Sequence, residues 1–276
     1  MASCLACEST NLGALPFRDG FLAHPLNQCA ACGHIQVAVA PDPDRLRDYY
    51  VGIYSLQRAA FVDKGYGRIA ERRARAQLDY FRDHMSDTAQ LLDVGCGYGH
   101  LVSEAARRGI TSAGLEYDLS AIQHGVNHHL NIRGVTSEQD IANEIAALRS
   151  GIVVMSHVLE HLRDPVRSLS ACHHCWVFIE VPAYRADIVE QFVDQEGHLN
   201  FFNANSLLVL LRRLGFTIES HGTFGPGMRL FWQQRWIVPL RILRSLSRDY
   251  FLNRYGVRHA DGIWVRVLAR GSKCGF

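Results

Sequence analysis

The sequence of 276 residues has no uninterrupted apolar run long enough to span a bilayer. Its opening residues, Met1-Ala2-Ser3-Cys4-Leu5-Ala6-Cys7, lack the apolar stretch of a secretory signal. These two absences set the expectation of a cytoplasmic protein, in which eight cysteines serve as metal ligands or packed thiols rather than disulfides. A large net charge is missing as well: 29 Lys and Arg face 27 Asp and Glu, a balance of +2. That near-neutrality hides an asymmetry, because residues 229–276 carry ten basic residues against Asp249 and Asp261. A tail of this kind faces phosphates, an anionic membrane surface or plain solvent. With 48% hydrophobic and 20% charged residues, the chain has enough apolar material for one large α/β domain and a small appendage.

The four cysteines at the start fall into two pairs, Cys4-x-x-Cys7 and Cys29-x-x-Cys32. Each pair suits a tight knuckle, and two knuckles supply four thiolates for tetrahedral zinc. Gly13, Pro16, Gly20 and Pro25 lie between them and favour short strands and turns. A segment this short buries little, so a structural Zn2+ held by Cys4, Cys7, Cys29 and Cys32 is expected over residues 1–40, with His34 as a spare ligand. Pro41-Asp42-Pro43 marks a linker. Residues 41–87 read as a helical linker or cap. Leu46, Tyr49, Tyr50, Ile53 and Tyr54 recur there at helical spacing, and one of these tyrosines is a candidate to cover a ligand. Arg72, Arg73 and Arg75 are expected on a solvated helix face.

From residue 88 onward strands and helices alternate. Strands are expected at 90–94, 111–116, 132–135, 152–155 and 176–181, with helices near 100–108, 119–129, 138–149, 164–171 and 185–194. Phe216–Ser220 and Ile263–Ala269 are expected as two final antiparallel strands. This pattern implies a doubly wound parallel sheet whose ligand sits at the carboxyl ends of the strands. The first strand runs into Gly95-Cys96-Gly97-Tyr98-Gly99, a loop whose glycines turn sharply and let a flat ligand approach the backbone. Position 100 is His, so the Gly-x-Gly-x-x-Gly form of dinucleotide dehydrogenases is absent. Glu116 ends the second strand, where a carboxylate can accept from both hydroxyls of a ribose, and Asp118 is expected to cap the next helix. After the fourth strand come Ser156-His157-Val158-Leu159-Glu160-His161, expected as a loop and short helix lining a pocket, and Asp164-Pro165 opens a helix. His157 and His161 alone lack partners to complete a metal site. Cys172-His173-His174-Cys175 is read as a chance cluster in a turn.

Together, Leu91 to Gly99, Glu116, Val158-Leu159-Glu160-His161-Leu162, Phe178 to Pro182 and His198-Leu199-Asn200-Phe201-Phe202 resemble the class I S-adenosylmethionine-dependent methyltransferases. The resemblance covers residues 90–220. It implies a seven-stranded, Rossmann-like α/β fold over residues 88–276, with a basic amphipathic insertion near 228–260, preceded by the zinc ribbon. It also implies S-adenosylmethionine as methyl donor, with Asp93, Gly95, Cys96, Gly97 and Gly99 against its methionine end and Glu116 on the ribose. The adenine contact falls on Asp140, with Ser137-Glu138 close by, and His157 lines the same pocket. The paired Cys-x-x-Cys segment narrows the resemblance to methyltransferases of sugars and surface glycans. His198 is the general-base candidate for an acceptor hydroxyl, its alternative being a buried histidine that holds its loop. Tyr184 is a further acceptor contact. A sugar, nucleotide-sugar or glycan acceptor is expected, with peripheral membrane contact through the basic insertion as an option. An RNA methyltransferase that grips nucleic acid with the ribbon and basic tail, or an S-adenosylmethionine-binding scaffold without catalysis, is the alternative.

Overall fold

A computed structural model of the chain describes residues 3–15, 25–50, 52, 67–85, 89–148, 150–184, 197–227, 256, 258, 260 and 262–274. The expected helix at 185–194 and nearly all of the insertion at 228–260 lie outside them.

The amino-terminal segment forms three short strands, β1 (Leu12–Ala14), β2 (Leu26–Cys29) and β3 (Ile35–Val37), followed by helix α1 (Pro43–Tyr49). Helix α2 (Gly67–Phe81) then leads into the alternating region. That region runs β4 (Gln90–Val94), α3 (His100–Arg107), β5 (Ser112–Glu116), α4 (Leu119–Asn127), β6 (Ile132–Gly134), α5 (Glu138–Ala147), β7 (Gly151–Ser156), α6 (Pro165–Ala171) and β8 (Trp176–Pro182). The two-residue strand β9 (Asn200–Phe201), helix α7 (Ala204–Arg213) and the strands β10 (Thr217–Gly227) and β11 (Gly262–Arg270) complete the described chain. β10 extends well beyond the expected Phe216–Ser220, because its pairing with β11 continues past a bulge near Ser220 to Gly227.

The main sheet has seven strands in the order β10-β11-β8-β7-β4-β5-β6. β6, β5, β4, β7 and β8 are mutually parallel, whereas β11 runs antiparallel between β8 and β10. The chain starts at β4 and builds outward in both directions. The order therefore reverses at β4, which opens a crevice at its carboxyl end. Both faces of the sheet are covered, and successive residues alternate between them. Ile152 and Val154 of β7 pack with Leu78, Phe81 and Leu101, while Val153 and Met155 pack with Ile141, Leu207 and Leu211. This two-sided burial explains why the central strands read as continuous apolar runs.

The cysteine-bearing segment is fused to this body. β1, β2, β3 and β9 form a second, four-stranded sheet, in which Ile35 pairs with Phe201 and Gln36 with Asn200. Asn203 Nδ2 donates to the carbonyl of Gly33 at 2.9 Å and Asn205 Nδ2 to that of Cys32 at 3.0 Å. At the far end of α7, Arg213 donates to the carbonyls of Ala6 and Leu5 and pairs with Glu8. α7 thus carries the segment along its length.

Candidate active site

The glycine loop follows β4 directly. Gly95, Gly97 and Gly99 all have positive φ, between 57° and 75°, where a side chain is strained. A Cβ on Gly95 would lie 2.7 Å from Cγ2 of Val158, so the loop and the turn after β7 are in close contact. Gly99 provides no side-chain cap for α3, which leaves the first-turn N–H groups to a ligand or water. Asp93 is buried at the end of β4. Cys96 packs its sulfur against Gly114 of β5, the place where a Cβ on Gly114 would lie only 2.4 Å away.

Glu116 joins this loop to the next one. Its Oε2 accepts from the Gly97 amide at 2.6 Å, and its Oε1 accepts from the amides of Tyr117 and Asp118 at 2.8 and 3.1 Å. The carboxylate is buried and fixed by backbone on both oxygens. Asp118 is the N-cap of α4, accepting from Ser120, as expected. Asp140 turns toward its own helix start and accepts from the amide and hydroxyl of Thr136. Those bonds hold its carboxyl below the usual range. Its neighbour Glu138 accepts from the amides of Arg163 and Asp164, tying α5 to the loop after β7. Both acids near the third strand are therefore committed to backbone.

After β7 the chain makes turns rather than the expected short helix, and His157 takes the left-handed conformation, with φ of 57°. His157 Nδ1 lies 3.2 Å from Glu160 Oε1, though not in hydrogen-bonding alignment. Glu160 is fully buried, and neither of its carboxylate oxygens has a hydrogen-bond partner among the described residues. Burial pushes its carboxyl up, but His157, His161 and His198 outweigh burial and bring it below the ordinary value. The expectation that His157 and His161 stand without further ligands fails here. Residue 198 returns to the same spot, and Glu160, His161 and His198 offer ligand atoms within 4.8 Å of one another. The rings of His161 and His198 are 4.6 Å apart. His161 Nδ1 lies 2.8 Å from the hydroxyl of Tyr50 and 2.9 Å from the carbonyl oxygen of Gly197. His198 Nδ1 is 3.4 Å from the hydroxyl of Tyr184. The backbone holds this arrangement, since the amides of Leu199 and Asn200 both donate to the carbonyl of Glu160.

A second buried network lies beside it. Glu180 of β8 receives Arg266 Nε on Oε2 at 2.5 Å, and Arg73 Nε at 3.0 Å and Gln77 Nε2 at 3.1 Å on Oε1. Ser156 Oγ accepts from Gln77 and Arg73 and donates to the same carboxylate. Burial pushes the Glu180 carboxyl up, but Arg266, then Arg73 and His157, hold it far below the carboxylate range. Arg73 is therefore not on a solvated face. Its side chain enters the sheet end because a buried anion waits there. Arg266 is itself buried, and its guanidinium also lies over the ring of Phe224.

The four amino-terminal cysteines form one cluster, with Sγ atoms of Cys4 and Cys32 3.6 Å apart and those of Cys7 and Cys29 3.5 Å apart. None of them is in a disulfide. Zinc–sulfur bonds of about 2.3 Å put tetrahedral sulfurs about 3.8 Å apart, so the spacing fits zinc. Burial pushes Cys4 up to about 11. At Cys29, amides and neighbouring thiols outweigh burial and bring the thiol down to about 7. His34 stands outside the cluster, buried against Phe202, and burial brings its pKa down to about 4, so the ring is neutral. Among the described residues, Cys172 and Cys175 belong to no such cluster and are buried thiols in a turn.

A family profile described as a methyltransferase domain matches residues 66–221, more than half of the chain. A curated relative from Escherichia coli O7:K1 (strain IAI39 / ExPEC), the ubiquinone biosynthesis O-methyltransferase, is 36% identical over 88 residues, which are 30% of this chain and 36% of that protein. The chain thus spans little more than a third of the length of the curated relatives it matches. Among solved structures, a Burkholderia thailandensis 1,6-didemethyltoxoflavin-N1-methyltransferase with bound S-adenosylhomocysteine superposes with a TM-score of 0.52 at 14% identity, over 88% of this chain and 97% of that one. The magnesium protoporphyrin IX methyltransferase of Synechocystis PCC 6803 gives a TM-score of 0.50 at 12% identity, over 83% and 99%. These structures establish the shared fold, and with the profile match the chain belongs to the methyltransferase-domain family as a class I S-adenosylmethionine-dependent methyltransferase.

Proposed function

We propose that this methyltransferase acts on a hydroxyl of a sugar, nucleotide-sugar or surface-glycan acceptor, and that His198 promotes loss of the hydroxyl proton. The observation that carries this reading is the placement of His198. It faces His161 of the turn after β7 and Tyr184 just past β8, and Val158 of the turn after β7 lies against Gly95 of the glycine loop. Asp93, Gly95, Cys96, Gly97, Gly99, Glu116 and His157 are assigned to S-adenosylmethionine, whereas the expected adenine contact Asp140 has its carboxylate on Thr136. The acceptor oxygen attacks the sulfonium methyl in line. An O–C bond forms, the C–S bond breaks with its electron pair staying on sulfur, and S-adenosylhomocysteine leaves. The protein's main contribution is alignment of the two reactants. An oxygen acceptor agrees with the Escherichia coli relative, an O-methyltransferase. Structural Zn2+ on Cys4, Cys7, Cys29 and Cys32 is part of the same reading, since the sulfur spacing fits it.

Transfer of a radiolabelled methyl group from S-adenosylmethionine into cell extract, with the product identified by mass spectrometry, tests the acceptor class. Label in a saccharide supports the proposal, label in RNA favours a nucleic-acid substrate, and binding of S-adenosylmethionine without transfer to any fraction favours a scaffold. His198→Ala is expected to lower turnover about 100-fold or more while sparing S-adenosylhomocysteine affinity. Normal turnover in that variant would remove His198 from the role.

A further inference from the structure

The cluster of Glu160, His161 and His198 has a feature that a general base alone leaves unexplained. Glu160 is a fully buried carboxylate with no hydrogen bond to either oxygen among the described residues. An anion in such surroundings is costly unless a cation answers it. The arginines nearby are committed elsewhere, as Arg73 and Arg266 both bind Glu180. Among the described residues, what faces Glu160 is imidazole: His157 Nδ1 lies 3.2 Å from its Oε1, and His161 and His198 each offer a ligand atom that, with one from Glu160, lies within 4.8 Å of the others.

We propose that Glu160, His161 and His198 form a divalent-cation site, separate from the cysteine cluster. One carboxylate and two imidazoles suit Zn2+, Mn2+, Fe2+ or Co2+. Ligand bonds of about 2.0–2.2 Å bring such atoms about 3–3.5 Å apart, so the three side chains need to close by roughly an ångström. The surroundings match those of a metal-bound histidine, whose second ring nitrogen is usually fixed by a carbonyl or another polar group. His161 Nδ1 meets the carbonyl of Gly197 and the hydroxyl of Tyr50, which assigns its Nε2 to the metal. Tyr184 stands in the same relation to His198 Nδ1. Three protein ligands leave positions open for an acceptor oxygen.

The site also lies where such an oxygen is needed. Val158, two residues before Glu160, touches Gly95, which belongs to the loop assigned to the methionine end of the methyl donor. The inference rests on the hydroxyl-acceptor reading above and changes how His198 acts, as a ligand instead of the proton acceptor. A hydroxyl on the cation loses its proton to solvent more readily than a free one. The oxygen then takes the methyl group from sulfur, and the metal leaves the step unchanged.

The test uses the full chain and Mn2+ as probe, because this hard cation disfavours thiolate ligands. Calorimetric titration with MnCl2 is expected to show one Mn2+ per chain. Glu160→Gln and His161→Gln are each expected to weaken binding at least about 100-fold, whereas Cys29→Ser retains it. If Glu160→Gln does not fold, His161→Gln and His198→Gln give the same readout. Unchanged Mn2+ affinity in the folded variants would overturn the site. So would a wild-type chain that binds S-adenosylhomocysteine and takes up neither Mn2+ nor Zn2+ beyond the cysteine cluster. A separate titration with S-adenosylhomocysteine, expected to stay within about threefold in these variants, isolates failure of the methyltransfer reading from failure of the metal site.

Discussion

At the scale of single residues, Glu116 does two things at once. Its carboxylate, which we assign to the ribose, also fixes the glycine loop through the Gly97 amide. Glu116→Ala is therefore expected to weaken S-adenosylhomocysteine binding more than loss of one ligand contact does. The charged hydrogen bond alone is worth about 1.5–3 kcal/mol, or roughly 10- to 100-fold in affinity. Titration calorimetry checks this, and an affinity within threefold of wild type would sink the assignment. Gly95→Ala tests the backbone instead. Positive φ and the contact with Val158 predict a loss of about 1–3 kcal/mol in stability, read by urea unfolding. Both residues are legible in the sequence because their constraints are local. Glycines mark the turn, and an acid closes the next strand. Tyr50 and Arg73 are not legible. Each reads as an ordinary helix residue, and its partner, Gly197 or Glu180, lies more than a hundred positions away.

At the scale of elements, the Glu180 network ties α2 to β8 and β11. Arg73 comes from α2, Glu180 from β8 and Arg266 from β11. Removing the anion strands a buried guanidinium. Glu180→Gln is expected to destabilise the fold by about 3–5 kcal/mol, measured by chemical denaturation. The pH dependence follows from the sign of the shift. The folded carboxyl lies far below the ordinary Glu value of about 4.3, so its stabilising contribution is complete above that value. It fades as pH falls below 4.3 toward the folded value. Between pH 4.5 and 2 the wild type is thus expected to lose stability more steeply than Glu180→Gln, and parallel acid-unfolding curves would contradict this. The strands themselves were easier to foresee. β4, β7 and β8 are buried on both faces, and this shows as runs rich in Val, Ile, Leu and Phe, broken in β4 by Asp93 and in β8 by Glu180. β9 left no such trace, because two residues that pair with a strand near the amino terminus carry no periodicity of their own.

At the scale of the whole molecule, the cysteine segment and the methyltransferase body share a sheet and a helix. Cys4, Cys29 and Cys32 belong to the same apolar cluster as Phe202, Leu207 and Leu211. If zinc holds the four thiolates, its removal loosens the body along with the segment. Cys29→Ser, or prolonged chelation, is expected to lower a single cooperative melting transition by roughly 5–10 °C. Calorimetry that instead shows an early, separate transition for the segment would contradict this coupling. The paired Cys-x-x-Cys spacing announced the cluster itself. Its attachment through Asn203, Asn205 and Arg213 could not be read in advance, since those side chains look like any polar residues of a helix.

The pairing of Ile35 with Phe201 also sets an order of events during synthesis. The amino-terminal strands leave the ribosome early, but their fourth partner emerges only after the central parallel strands have been made. Until then β3 presents an unpaired edge, the kind of surface that invites association with other chains. His198 precedes Phe201 by three positions, so the segment that bears it is made only then. A chain arrested before residue 201 therefore has its glycine loop but an open small sheet.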